Sequence, residues 1–491
     1  MEMEPKSDLF YQRAFYGLLL FHLGVWLSLG LALDLHPDEA DHWVWSRFLA
    51  WGYYEHPPMI AWVIRLFTSL LGTNQWAMEI GSQSLTLLSF AFVFLLGRRL
   101  FGTPAAFWSV LALEATPLFT VGSMIFIIDT VLILFYLGAA WFFWKGYQEK
   151  DPRFWYLAGL AWGLALLSKV TAVLLALGCF IFLISRRDGR SLLRSPHLYL
   201  ALLLGLLVFS PFLYWNMGHD WISFRAQLEK GLSGGRDWNQ WLGFWFGQPL
   251  LLGPVLFIFF IKGLGRGLKE FTQKDGSAFL FLLTLVPLLF FGLAAFKGKY
   301  TDPSWTDVGW PFGAVLTGRY FAEKIPKLPV RKSLLIGGLI FLTSWFPIGL
   351  IAVHTFYPFL PLGPFGDRTL EMRGWGRVGE EVGKNYRVYF PGAEKVYLLA
   401  DDYQLAGAVS FYTPQHPIPY SFGKSQRNLW VSLPELQRTG ALLLCTPETC
   451  SQDQERARSL FRRVEPVSDF TIRRRGKVVK TFKVVYCSNP L

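Results

Sequence analysis

Apolar residues fall in runs of about the length that crosses a bilayer, roughly 20 residues at 1.5 Å each for a hydrocarbon core near 30 Å thick, with short polar links between them. Single runs cover 10–33, 76–97 and 333–353, and longer apolar stretches cover 103–144, 154–185, 197–261 and 277–318. Five basic clusters separate them: Arg98 and Arg99; Lys145, Lys150 and Arg153; Arg186, Arg187, Arg190 and Arg194; Lys262, Arg266, Lys269 and Lys274; and Arg319, Lys324, Lys327, Arg331 and Lys332. Lys and Arg accumulate on the cytoplasmic side of membrane proteins, so all five clusters are placed inside and each longer stretch becomes a helical hairpin. The expectation is about eleven transmembrane helices, with the N-terminus inside and the C-terminus outside. Residues 154–185 are short for two helices, but a single crossing would put a neighbouring cluster on the wrong side. The first run lacks a small-residue cleavage pattern and reads as a retained span.

Four segments are then external: 34–75, 216–247, 297–304 and everything after about 354. Residues 1–355 form a mainly α transmembrane domain with 34–75 as its first external loop, and 356–491 a small external α/β domain. In this tail KVYLLA and ALLLC read as buried strands, DDYQLAGAVSF and QERARSLFRRV as helices, and TIRRRGKVVKTFKVVYC as a terminal hairpin. Only 17% of the 491 residues are charged, against about 25% in soluble domains, which excludes an ordinary water-soluble enzyme. The excess of 47 Lys and Arg over 35 Asp and Glu lies mostly in the inner links, so it sets orientation and does not mark a nucleic-acid surface. Cys179 is a small packer within a span. Cys445, Cys450 and Cys487 share the outer tail, where one disulfide between any two leaves one thiol.

The first external loop, LHPDEADHWVWSRFLAWGYYEHPPMIAWVIRLFTSLLG, sets Asp38, Glu39, Asp41, Glu55, His36, His42 and His56 beside Trp43, Trp45, Trp51, Tyr53 and Tyr54. Residues 39–51 suit a helix lying in the membrane interface, and 57–71 a second one begun by Pro57 and Pro58. Glu55 and His56 then stand at the start of that second helix, beside N–H groups able to receive an anion. The plainer reading is solvated acids flanking a proline turn. Asp129 lies within VGSMIFIIDTVLILFYLG, and an ionisable group in an apolar span marks a functional site by default; it equally suits a hydrogen bond to a neighbouring helix. Lys169 in LALLSKVTAVLLA falls at an outward turn, placed to meet an anion or to snorkel to headgroups. Lys297, Lys299 and Asp302 occupy another outward turn, and His219, Asp220 and Arg225 open segment 216–247. Read alone, those lysines are interface anchors and His219 a turn cap.

Taken together, these segments bring carboxylates and cations to one membrane face, which suits sugar transfer from a lipid phosphate. A carboxylate accepts the acceptor hydroxyl's proton as that oxygen attacks the anomeric carbon, and a cation stabilises the charge growing on the departing phosphate. A phosphate leaving group needs little protonation, unlike the alcohol expelled by a glycoside hydrolase with its two carboxyl groups. No GxxxxGK[ST] loop points to a nucleotide. A transporter or flippase of polyprenyl-linked lipids is the rival reading, but its pathway charges belong near the midplane.

At these residues the sequence resembles the C-type (GT-C), multi-span glycosyltransferases that use polyprenyl-phosphate sugars, in the bacterial branch of the aminoarabinose lipid A transferase and of relatives of the protein mannosyltransferases. The resemblance runs through most of the chain and rests on PDEADHWVWS followed by GYYEHPP, on Asp129-Thr130, on LLSKVTAVL, on WNMGHDWISFRAQL and on ADDYQLAGAVSFY. It implies a GT-C-like helical bundle with external juxtamembrane helices, and Asp38 as the catalytic acidic residue of the first external loop with Glu39 beside it. It implies Asp129 as a second acidic position, and Tyr53, His56, Lys169 and Lys299 as donor-phosphate contacts. Glu55, His219 and Arg225 would organise the loop or the acceptor. Glu55-His56-Pro57-Pro58 matches a Glu-Lys-Pro-Pro pattern of aminoarabinose transferases with His56 replacing Lys. Ile128 stands where relatives often have Pro, and Asp41 where the aminoarabinose enzymes carry Arg. The implied donor is undecaprenyl phosphate or a similar polyprenyl phosphate carrying a sugar, and the implied acceptor is lipid A, lipopolysaccharide core or another envelope hydroxyl. The implied place is the bacterial inner membrane with its active site periplasmic. No cofactor is assigned; some relatives hold a divalent metal near the external loops, where Glu55 and nearby His residues would serve.

Overall fold

The computed structural model describes residues 5–232, 234–298, 300–360, 367–422, 428–474 and 477–489. The chain divides into two compact units. The first comprises Met1–Ser28, Glu55–Met59 and Glu79–Val353, and the second Leu29–Tyr54, Ile60–Met78 and His354–Leu491.

Among the described residues, six helices are long and apolar enough to cross a membrane: Asp8–Ala32, Gln75–Phe101, Ile128–Glu149, Pro196–Met217, Asp275–Lys297 and Val330–Phe356. Trp238–Leu252 and Pro254–Lys269, which meet at 101°, make a seventh if they count as one broken span. The other stretches expected to span are helical but shorter: Thr103–Glu114, Pro152–Ser168, Val173–Ser185 and Trp310–Lys324 run 12 to 17 residues. Chain punctuation shortens them. Thr116 caps a new helix at Pro117, extended Lys169 separates its two helices, and Gly253 bends the chain at φ 81°, a conformation open to glycine at no steric cost.

Within the first unit, Pro152–Ser168 and Pro196–Met217 cross where their backbones nearly touch. A Cβ at Gly159 would lie 2.1 Å from the Ala201 carbonyl oxygen, and one at Gly163 would lie 2.7 Å from the Gly205 oxygen. Small residues four apart on both helices permit this approach, which is how membrane helices gain contact without a hydrophobic drive between them. Gly159→Leu is therefore expected to destabilise the protein by about 1–3 kcal/mol through overpacking. A thermal melt in detergent reads this as a lowered midpoint, and an unchanged midpoint would mean that the seam is not tight.

The second unit contains a five-stranded sheet of order β2-β1-β3-β5-β4, with β1 Tyr397–Ala400, β2 Ile418–Ser421, β3 Ala441–Cys445, β4 Arg463–Arg474 and β5 Lys477–Ser488. β1 pairs parallel with β2 and β3, and β5 runs antiparallel to β3 and β4. The unbroken apolar runs of β1 and β3 are buried throughout, as strands covered on both faces must be. β2 and the helices Trp375–Tyr389 and Leu433–Thr439 were not foreseen from the sequence. The helix expected over QERARSLFRRV ends at Arg458, because Phe461 turns into the core and Arg463 already belongs to β4. A disulfide joins Cys445 to Cys450, and Cys487 is a buried free thiol.

Candidate active site

In the second unit, Asp38 stands in the first turn of the helix Pro37–Arg47. This helix starts two residues before the expected boundary because His36 caps it: the Asp38 N–H donates to His36 Nδ1 at 3.2 Å, and the His36 N–H donates to the Glu39 carboxylate at 2.9 Å. Pro37 at the first position presets the helical backbone. The box satisfies two otherwise unmatched donors and separates the two neighbouring acids. Glu39 is fully buried in the cap, whereas the Asp38 side chain is 38% exposed.

Asp38 is held from the tail. Gln404 Nε2 donates to Asp38 Oδ1 at 2.7 Å, and His36 Nε2 lies 3.6 Å from Glu371. Gln404 sits on the helix Tyr403–Tyr412, which packs so closely on the loop helix that a Cβ at Gly407 would lie 2.9 Å from the Asp41 nitrogen. Arg47 Nη1 donates to Ser410 Oγ and to the Pro417 carbonyl, both at 3.3 Å. The Tyr412 hydroxyl accepts the Leu35 N–H at 2.7 Å. The loop helix ends at Arg47, short of the expected Trp51, and Tyr53 seals that end. Its hydroxyl lies 3.0 Å from the Trp45 carbonyl and 3.1 Å from the Phe48 carbonyl, and its ring stacks on Trp45. Burial raises the Tyr53 pKa, so the hydroxyl stays protonated. A donor-phosphate contact from Tyr53 would have to replace these backbone bonds.

In the first unit, Asp129 is the second residue of the helix Ile128–Glu149, where the helix dipole favours a carboxylate. Lys169 ends the helix Pro152–Ser168 with an extended backbone and donates from Nζ to Asp129 Oδ1 at 2.7 Å. Its ammonium also lies 5.5 Å from the centre of the Trp305 ring. Asp302 and Asp307 lie close enough to act electrostatically on Lys169. Asp302 accepts the Tyr300 hydroxyl at 2.6 Å and the Ser304 N–H at 2.8 Å. Burial opposes its ionisation, but these bonds hold its carboxyl below the usual range. Asp307 is buried, and its Oδ1 has no hydrogen-bond partner among the described residues. The sequence reading missed Asp307, although TDVGWPFG carries an acid inside a stretch expected to span, the same signal that exposed Asp129. It also missed Gln404 and Glu371, for which no local pattern exists.

Glu55 is buried and paired with Lys230 at 2.8 Å, and its carbonyl accepts Gln227 Nε2 at 2.8 Å. Both partners come from the helix Ile222–Leu232, so segment 216–247 reaches the loop through these two residues. Arg225 is exposed on the same helix, and His56 is half-buried beside Glu55. His219 stacks on Trp215 and its Nδ1 lies 2.8 Å from the Trp215 carbonyl, which closes its own helix end. Lys299 lies outside the described residues. Among the described residues no three His, Cys, Asp or Glu side chains group closely enough to hold a metal ion.

A sequence profile described as dolichyl-phosphate-mannose-protein mannosyltransferase matches residues 55–215. The lipid A galacturonosyltransferase RgtD of Rhizobium johnstonii is 28% identical over 423 residues, covering 84% of this chain and 83% of that one. An undecaprenyl phosphate-alpha-4-amino-4-deoxy-L-arabinose arabinosyl transferase of Erwinia tasmaniensis is 29% identical over 320 residues, 57% of this chain and 55% of that enzyme. A crystal structure of ArnT from Cupriavidus metallidurans bound to undecaprenyl phosphate superposes with a TM-score of 0.68 over 97% of this chain and 98% of that one, at 16% identity, and so has the same fold. With its apolar helices, the protein is a multi-pass membrane protein. In sequence the chain is thus similar to these named membrane glycosyltransferases, and in fold to ArnT.

Proposed function

We propose that the protein moves a sugar from undecaprenyl phosphate, or a similar polyprenyl phosphate, to a hydroxyl of lipid A or lipopolysaccharide core at the periplasmic face of the bacterial inner membrane. The observation that carries the catalytic assignment is the split between two adjacent acids: Glu39 is consumed by its cap, while Asp38 remains open and is aimed by Gln404. Asp38 takes the proton from the acceptor hydroxyl as its oxygen attacks the anomeric carbon. Lys169, paired with Asp129, meets the phosphate as the bond to the sugar breaks. Glu39, Tyr53 and Glu55 keep the loop in shape. The Cys445–Cys450 bond supports placing the tail in an oxidising compartment.

The names of the relatives supply two sugars to try, galacturonic acid and 4-amino-4-deoxy-L-arabinose. Purified protein incubated with lipid A and each polyprenyl-phosphate sugar in turn is expected to yield lipid A heavier by one sugar with one donor, read by mass spectrometry. Failure with both, by protein that melts cooperatively, would overturn the proposed donor and acceptor.

A further inference from the structure

At the end of the first unit distal to Asp129, residues from all five basic clusters converge. Tyr147 lies near the other end of the helix that begins at Ile128, about 27 Å from Asp129 at 1.5 Å per residue. Here a cleft of about 540 Å³ opens between the last turns of Gln75–Phe101 and Ile128–Glu149 and the link leading into Asp275–Lys297. Its charged lining residues are Arg99, Lys274, Arg319 and Asp275, three of them cations.

The acid in this wall is already compensated. Asp275 accepts the Tyr147 hydroxyl at 2.6 Å and pairs with Arg186 at 3.3 Å. Arg319 is buried and bound to Glu270, Glu323 and Ser277, so its charge is already compensated. Arg99 and Lys274 are different: their side chains are 45% and 50% exposed. Arg99 spends Nε on Gln148 and Nη2 on Glu149, and Lys274 makes one long bond of 3.3 Å to Glu270, so both have donors to offer. Among the described residues the ion pairs around the cleft join six cations to four acids, with Asp188 a fifth acid acting on Tyr147, which leaves cations in excess within this set. The buried indole N–H of Trp144, also in the wall, has no acceptor among the described residues. Phe101 and Trp144 are rings at the ends of apolar helices, the depth at which headgroups meet aromatic side chains.

We propose that this cleft binds a phosphate group presented by an anionic phospholipid of the leaflet at the basic end of the bundle, with Arg99 and Lys274 as its donors. Basic pockets between membrane helices recognise lipid phosphates in this way, and the acyl chains would lie along the two apolar helices that frame the opening. The site is separate from the sugar-transfer chemistry and does not depend on it.

Native mass spectrometry of the full-length protein with phosphatidylglycerol, cardiolipin or phosphatidylcholine tests this. Retention of the two anionic lipids and not of phosphatidylcholine is expected. In the Arg99→Gln/Lys274→Gln double variant their occupancy should fall at least about tenfold, as loss of two charge-assisted hydrogen bonds implies, with sugar transfer unchanged. The Arg99→Lys/Lys274→Arg variant, which keeps both charges, should retain the lipid. Equal lipid occupancy in the Gln variant, or equal retention of phosphatidylcholine, would overturn the proposal. Displacement by excess inorganic phosphate would reassign the cleft to the free anion and overturn the lipid.

Discussion

Asp38→Asn should lower the turnover of sugar transfer by about 10²- to 10⁴-fold, the usual contribution of a positioned base, with the melting temperature unchanged. Asparagine keeps an oxygen for Gln404 and the same backbone N–H for His36, so the hydrogen bonds that fix the loop survive. What disappears is the capacity to take a proton. Glu39→Gln is the control, since it weakens a cap worth about 1 kcal/mol and leaves the reacting group in place. Gln404→Leu should fall between these, with turnover reduced and KM little changed, because the carboxylate remains but is no longer aimed. If Asp38→Asn kept full turnover and Glu39→Gln lost it, the base would be the buried residue and the proposed division of labour would fail.

Lys169→Ala is the second large effect. Two losses combine in it: the ammonium that meets the donor phosphate, and the partner of Asp129, whose removal leaves a part-buried carboxylate at a cost of about 3–5 kcal/mol. The double variant Asp129→Leu/Lys169→Met separates them. An ion pair replaced by apolar groups of similar volume often regains stability, so this variant should melt near the parent while sugar transfer and binding of undecaprenyl phosphate remain lost. Recovery of transfer along with stability would make the pair a structural strut and nothing more.

The helical bundle was legible because length, hydropathy and basic links are local properties of the chain. Asp129 and Lys169 announced themselves as charges in apolar surroundings, and the pattern PDEADHW gave the acidic loop. Sequence did not disclose which acid is open, since that depends on the ring nitrogen of His36 acting as a cap, a role histidine seldom takes. Nor did it disclose Gln404, a polar residue near the start of a mostly buried helix, whose meaning comes wholly from a partner 366 positions away. The breaks within the apolar stretches were not legible because hydropathy averages across Thr116, Lys169 and Gly253, whereas a helix ends beside each of them.

The seat that Gly407 provides for Asp41 also has a bearing on synthesis. The segment carrying Asp38 leaves the ribosome 366 residues ahead of Gln404 and the other residues of the surface that receives it. Until those emerge, the early segment has nothing to close against, and contacts of such long sequence separation form late. A premature stop before Tyr403 removes this seat and is therefore expected to abolish sugar transfer, read by mass spectrometry of the lipid product.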